Sequence, residues 1–254
     1  MPHIGLWDIL LLVVVALMST AVAYLHHPKW KALVLSMPIP FSMAAMALGA
    51  PVDATNVVGL LVLLVYTHAV RVLYIHLRVP IVVSIALAAA MYCGVALMLA
   101  GVIPTSEAWF WGSAAAAMAV AAALTWMLPA RHEPGHRTPL PVWIKVPIIV
   151  AVVAGLILIK KLLGGFVTMF PMVSLVAAYE ARKSLWTICR QIPILMLASA
   201  PMMAAMRLTQ GTLGLGGALA VGWVVFLGIL LPLNRLVGAG ATLKAEPMEP
   251  VIER

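Results

Sequence analysis

The chain has 254 residues, of which 64% are hydrophobic and only 9% charged, and its mean hydropathy is +1.10. A soluble core of this size cannot bury so much apolar surface, so the composition excludes a soluble globular protein and predicts an all-α polytopic membrane protein. The net charge of +8 fits basic loops that face anionic lipid, and we expect no nucleic acid partner.

Apolar runs long enough to cross a membrane follow one another along the chain. A helical span needs roughly 17 to 25 apolar residues. The candidate runs, about nine in all, are residues 4–24, 32–50, 57–75, 79–103, 108–128, 146–159, 166–178, 192–206 and 213–233. The longest polar stretch, residues 129–141, is rich in proline and too short to fold alone, which predicts an exposed linker.

The basic residues predict the orientation of these spans. If the N-terminus is outside, most of the 16 lysines and arginines fall in cytoplasmic segments, as the positive-inside rule requires. We therefore expect a protein of the bacterial inner membrane with its N-terminus outside and its C-terminus in the cytoplasm.

Two parts of the sequence are similar in the order of their residues. Residues 24–48 and 158–180 each carry a polar pair at the end of one span, then a hydroxyl residue, a methionine and a proline in the next. The two copies are offset by five spans, so they would cross the membrane in opposite directions. An inverted repeat of this kind is typical of secondary transporters. The predicted organisation is a first repeat (1–104), a linking helix and linker (105–141), a second repeat (142–236) and a tail (237–254).

Prolines interrupt the second and seventh runs. Gly164 and Gly165 weaken helix at the start of the seventh run, and Pro171 removes a backbone hydrogen bond near its middle. Freed carbonyls at membrane depth need hydroxyls, other helices or a wet cavity as partners. We expect the two kinked helices, one from each repeat, to face each other near the bilayer midplane. This arrangement predicts a substrate site there. Its predicted members are Ser36, Pro38, Pro40, Ser42, Thr168, Pro171 and Ser174.

Ionisable residues inside the runs extend this candidate site. Thr67, His68 and Arg71 share one helical face, and an intramembrane His or Arg is a functional candidate by default. His68 is either a proton carrier or a histidine satisfied by a backbone carbonyl. Glu180 is either an interfacial ion-pair partner or the carboxylate of a proton pathway.

Charged residues near the predicted outer ends have simpler interpretations. Asp8 and Asp53 are expected to be solvated. Arg207 and Lys160 would attract an anion or extend to the interface. The histidines and cysteines have no metal-site spacing, and no nucleotide loop or nucleophile motif is present, so we expect no metal, no cofactor and no enzymatic activity.

The stretch "GGFVTMFPMVSLVAAYEARKSL" resembles the GlpM-type family of small bacterial inner-membrane proteins, which have a similar Gly-x-Val, Phe-Pro and Tyr pattern at the start of their second span. The match covers about a tenth of the chain. Members of that family are about half this size, so the resemblance implies a fused, inverted pair and supplies no reaction. The first half departs from the pattern, with "LSMPIPFSM" in place of Phe-Pro.

The sequence thus favours a transporter or permease for a small molecule or ion, with two inverted four-span units, a linking span and possible proton coupling. Its expected partners are membrane lipids, and its expected state is a monomer or homodimer. A ten-span exporter fold that lacks one span is an alternative of the same class. A non-transporting scaffold for an envelope polysaccharide or lipid machine is the alternative from a different class, and an enzyme acting on a lipid-linked substrate comes third.

Overall fold

The computed structural model describes residues 5–25, 28–129, 133 and 142–243. Within these ranges the chain is helical and has no strand. The helices are α1 Leu6–Tyr24, α2 Pro28–Leu35, α3 Ile39–Leu48, α4 Ala54–Arg71, α5 Ile81–Ala100, α6 Glu107–Met127, α7 Val142–Leu163, α8 Phe166–Met169, α9 Met172–Glu180 and α10 Leu185–Leu243, with a π-helical turn at Val72–His76 after α4. The predicted all-α class is therefore confirmed.

Two pairs of short helices replace what would otherwise be single spans. The first break, residues 36–38, separates α2 from α3, and the second break, residues 170–171, separates α8 from α9. Both breaks contain a proline, which lacks the N–H that a continuing helix needs. α3 packs against α8 and α2 packs against α9, so the two broken helices run antiparallel.

The last helix, α10, folds back on itself at Gly214. This glycine has a left-handed φ of 66°, which side chains other than glycine rarely adopt. A Cβ built on Gly222 would lie 2.8 Å from Cγ of Met206 and 3.1 Å from Cγ of Met202. At about 1.5 Å per residue, a straight helix would hold Gly222 more than 20 Å from both methionines. The parts of α10 before and after Gly214 are therefore packed side by side.

The bundle has two ends, which we name by the buried acidic residue at each. The Asp8 end holds the start of α1, the end of α3, the start of α4 and the end of α7. The Glu180 end holds the start of α2, the ends of α4 and α9, and the start of α10. Glu133, a residue of the linker, lies at the Glu180 end. Its carboxylate accepts hydrogen bonds from the Trp186 and Thr187 amides and so caps α10.

In the described part of the chain, seven helical segments are long and apolar enough to cross a membrane. One of them is the double-length α10, and the shorter α8–α9 segment also has an apolar composition. A membrane location is therefore supported, while the count of nine spans stays a prediction. α7 begins at Val142, four residues before the predicted run. Most of the predicted 129–141 linker lies outside the described residues.

Candidate functional site

A pocket of about 60 Å³ lies between the two breaks. Prolines from both broken helices border it, namely Pro38, Pro40 and Pro171. Three residues that carry a hydroxyl also line it, namely Thr168, Ser174 and Ser199. The rest of its wall is apolar and consists of Leu35, Met37, Phe41, Leu63, Met169, Phe170, Met172, Val173, Ile192 and Leu195. Five of the predicted site residues thus line one shared pocket.

Each break deprives a backbone carbonyl of its helical donor. Pro40 stands four residues after Ser36 and has no N–H for the Ser36 carbonyl. At the second break, the Met172 amide donates to the Phe170 carbonyl at 2.7 Å, so it does not close a helical turn onto Thr168. The neighbourhood of the pocket is therefore rich in hydrogen-bond acceptors.

Ser36 and Ser42 hold the first break together but do not line the pocket. The Ser36 hydroxyl donates to the Ala32 carbonyl and accepts a hydrogen bond from Nε2 of Gln191 at 2.8 Å. The Ser42 hydroxyl donates to the Pro38 carbonyl and accepts from Nε1 of Trp223 at 2.9 Å. Both serines were predicted from the sequence to belong to the substrate site. Their hydrogen bonds indicate a supporting role.

The glycine pair allows the second break to approach α4. Gly164 has a left-handed φ of 54°, and a Cβ on Gly165 would lie 2.2 Å from Oγ1 of Thr55. This close approach lets Nδ2 of Asn56 donate to Oγ1 of Thr168 at 3.0 Å and to the Gly165 carbonyl at 3.3 Å. Since Asn56 is itself fixed by the Asp53 amide, the loop before α4 helps to position Thr168, a residue of the pocket wall.

Four hydrogen bonds, which we call the cross-links, hold the two breaks from distant parts of the chain. Asn56 of α4 and Tyr92 of α5 hold the second break, and the Tyr92 hydroxyl donates to the Phe166 carbonyl at 2.9 Å. Gln191 and Trp223 of α10 hold the first break. None of the four donors was predicted from the sequence. In the sequence, each donor is visible only as a polar side chain inside or beside an apolar run. That position alone does not indicate which group the side chain will bind.

Thr67, His68 and Arg71 lie away from the pocket, near the Glu180 end of α4. The Thr67 hydroxyl donates to the carbonyls of Leu63 and Leu64, and Nδ1 of His68 lies 3.0 Å from the Leu64 carbonyl. The Arg71 guanidinium lies over the Trp186 ring, 4.7 Å from its centroid. The backbone-satisfied interpretation of His68 therefore matches its contact, and none of the three residues lines the pocket.

Glu180 also lies outside the pocket wall, fully buried where α9 meets α2. Nζ of Lys31, a residue that is 1% exposed, donates to the Glu180 backbone carbonyl at 3.1 Å. Lys31 was not among the residues predicted from the sequence. A buried lysine and a buried glutamate therefore mark the point at which the two broken helices meet at this end.

Asp8 is not solvated, contrary to the expectation from sequence. Its side chain is 2% exposed and forms an ion pair with Lys160 of α7. Nζ of Lys160 also donates to the Ala47 carbonyl near the end of α3, at 2.9 Å. The expectation was wrong because Asp8 lies on the face of α1 that packs against α3 and α7, where Lys160 compensates its charge.

Arg207 is held by the protein at the Asp8 end. Its guanidinium pairs with Glu107 at 2.6 Å and donates to the Val52 carbonyl at 3.0 Å. These contacts join the loop before α4 to α6 and α10. They occupy the donors that the sequence analysis had offered to an anion.

Comparison of the chain with family models, with curated proteins and with solved structures finds no match. The resemblance to the GlpM-type family stays a prediction.

Proposed function

We propose that this protein is a membrane transporter that binds a small solute between its two broken helices. The observation that carries the proposal is the pocket bordered by Pro38, Pro40 and Pro171, in which interrupted helices from distant parts of the chain meet antiparallel. Discontinuous helices that meet at a cavity are how many transporters build a substrate site near the bilayer midplane. Irregular backbone at membrane depth is tolerated where it lines such a cavity.

The cross-links support an inverted repeat of two four-span units joined by α6. Asn56 and Gln191 occupy equivalent places in that repeat, since each lies near the start of the third span of its unit and each holds the break of the other unit. Tyr92 and Trp223 are equivalent in the fourth spans. The three pairs Asn56–Gln191, Tyr92–Trp223 and Pro38–Pro171 have nearly the same sequence separation. On this basis α10 supplies two spans and the total is nine.

Two lysine contacts would close the pocket in this mechanism. At the Asp8 end, Lys160 joins α7 to α1 and to the end of α3. At the Glu180 end, Lys31 joins α2 to α9. Alternating access requires that one end open while the other stays closed. We propose that the Lys160 contacts break when the site opens to the outside and that the Lys31 contact breaks when it opens to the cytoplasm.

Distances between spin labels at the two ends test this function without knowledge of the solute. One pair of labels, on cysteines at positions 51 and 161, reports the Asp8 end, and another, at positions 78 and 183, reports the Glu180 end. All four positions are exposed. The background is Cys93→Ala with Cys189→Ala in lipid nanodiscs, measured by double electron–electron resonance.

A transporter gives two distance populations at each end. The double variant Asp8→Asn with Lys160→Gln removes the contact at the Asp8 end without leaving a buried charge, and we expect it to lengthen the distances there while the Glu180 end stays short. The matched control is Lys161→Gln, at the neighbouring exposed lysine. Because position 161 then carries the substitution, the label is placed at position 162 instead, both in this control and in the protein with which it is compared. A single distance population at both ends, unchanged by the double variant, would reject transport and favour the scaffold.

A further inference from the structure

The wall of the pocket carries no charged side chain among the residues that the structure describes there. Two lysines outside this wall have partners of their own, because Lys160 pairs with Asp8 and Lys31 donates to the carbonyl of Glu180. Moving a charge from water into such surroundings is costly unless an opposite charge or metal compensates it. The pocket therefore disfavours an ion.

Hydrogen bonding is nevertheless available to a bound solute. Ser174 and Ser199 line the pocket, and their hydroxyls make no hydrogen bond within the described part of the chain. The carbonyl of Thr168, another residue of the pocket wall, lies at the second break without its helical donor. Carbonyls only accept, whereas hydroxyls donate and accept. The surplus of acceptors favours a solute that donates hydrogen bonds.

The size of the pocket restricts the solute further. The pocket has a volume of about 60 Å³. Measured in the same way, a cavity that holds one water molecule needs only about 10 to 15 Å³. A molecule with a few heavy atoms fits, and its carbon atoms would contact Phe41, Leu63 and Ile192.

We propose that the pocket selects a small uncharged solute that carries a hydroxyl or primary amide group and rejects anions and cations of the same size. This inference rests on the proposed transport function, because it names the substrate class of the same site.

The experiment measures which solutes enter the pocket, using thiol reagents of matched length as probes. Ser199→Cys is prepared in the Cys93→Ala, Cys189→Ala background and kept in detergent micelles, so that reagents reach both ends. The neutral 2-hydroxyethyl methanethiosulfonate is compared with its anionic sulfonatoethyl and cationic trimethylammonioethyl analogues. Ser106→Cys, on an exposed loop, gives the reference rate for each reagent, and Ser19→Cys, at a buried serine outside the pocket wall, is the dry control.

For each reagent, the rate at Ser199→Cys is divided by its rate at Ser106→Cys. We expect this ratio to be no less than about one tenth for the neutral reagent. For both charged reagents we expect the ratio to be at least tenfold lower than for the neutral reagent. Charged reagents that react as fast as the neutral one would overturn the substrate class and leave a solvated transport pocket in place. If all three reagents are as slow as at Ser19→Cys, the pocket is dry and the transport proposal fails with it. Ser174→Cys repeats the measurement if Ser199→Cys does not fold.

Discussion

Gly165 shows how one atom limits the approach of two helices. Its Cα lies against the side chains of Thr55 and Asn56, and the hydrogen bond from Asn56 to Thr168 depends on that proximity. Gly155 of α7, in contrast, has open space where a Cβ would stand. The two glycines therefore differ in what a methyl group would do, although both lie in the same apolar region of the sequence.

We expect Gly165→Ala to lower the free energy of unfolding by about 2 kcal/mol, because the added Cβ overlaps Oγ1 of Thr55 and the neighbours must move. Thermal unfolding in detergent micelles measures the change. Gly155→Ala is the matched control and should leave the melting temperature unchanged or raise it. Equal effects of the two variants would show that the close approach to α4 does not matter for stability.

Lys160 and Lys161 are adjacent, yet their substitutions should differ sharply. Lys160→Gln leaves the buried Asp8 carboxylate without its ion-pair partner and should cost about 3 kcal/mol of stability. Lys161→Gln, at an exposed position, should be close to neutral. Adding Asp8→Asn to Lys160→Gln removes the uncompensated charge and should recover most of the loss. Failure of this rescue, in the same thermal assay, would mean that Lys160 acts through something other than Asp8.

At the scale of the elements, the breaks depend on partners that are distant in sequence. The prolines alone predicted where the second and seventh runs would be interrupted, because the missing N–H is a property of the residue itself. Which side chains would hold the two breaks could not be predicted. Tyr92 and Trp223 look like ordinary aromatic residues in apolar runs, and their role depends on how α5 and α10 pack. Ser36 and Ser42 were assigned to the pocket because they flank Pro38 and Pro40 in the sequence, but the partners of their hydroxyls also depend on this packing.

Removing one cross-link from each break should have similar effects. Tyr92→Phe leaves the Phe166 carbonyl without its donor but keeps the edge-to-face contact of the ring with Phe170, and Trp223→Phe removes the donor to Ser42. Each should cost about 1 kcal/mol of stability. Trp126→Phe, at a side chain that is 81% exposed, controls for the loss of an indole in the thermal assay. A neutral result for both would exclude these hydrogen bonds as supports of the breaks.

For the whole molecule, the orientation in the membrane is the prediction with the widest consequences. The distribution of basic residues among the loops predicts that the Asp8 end lies outside the cell. An impermeant maleimide applied to intact cells should therefore label Ser106→Cys, in the loop before α6, and should label Arg78→Cys only after the membrane is made permeable. Both positions are exposed, so access to the reagent decides the result. The opposite pattern would invert the orientation and exchange the roles of Lys160 and Lys31.

The all-helical class and the place of the breaks followed from composition and from proline chemistry. The burial of Asp8 did not, because the charge of one residue does not reveal which face of its helix will be packed. His68 and Arg71 were linked to the site by helical spacing, but spacing fixes only their common face and not the depth at which that face lies.

The cross-links also impose an order on assembly during synthesis. Helices insert into the membrane one by one and associate afterwards. The hydroxyl of Ser42 receives its hydrogen bond from Trp223, 181 residues further along the chain, and Ser36 waits for Gln191, 155 residues later. The first break is thus inserted long before its partners leave the ribosome. A chain truncated before α10 would leave the hydroxyl oxygens of Ser36 and Ser42 without these two donors, so its first break would lack both of its cross-links.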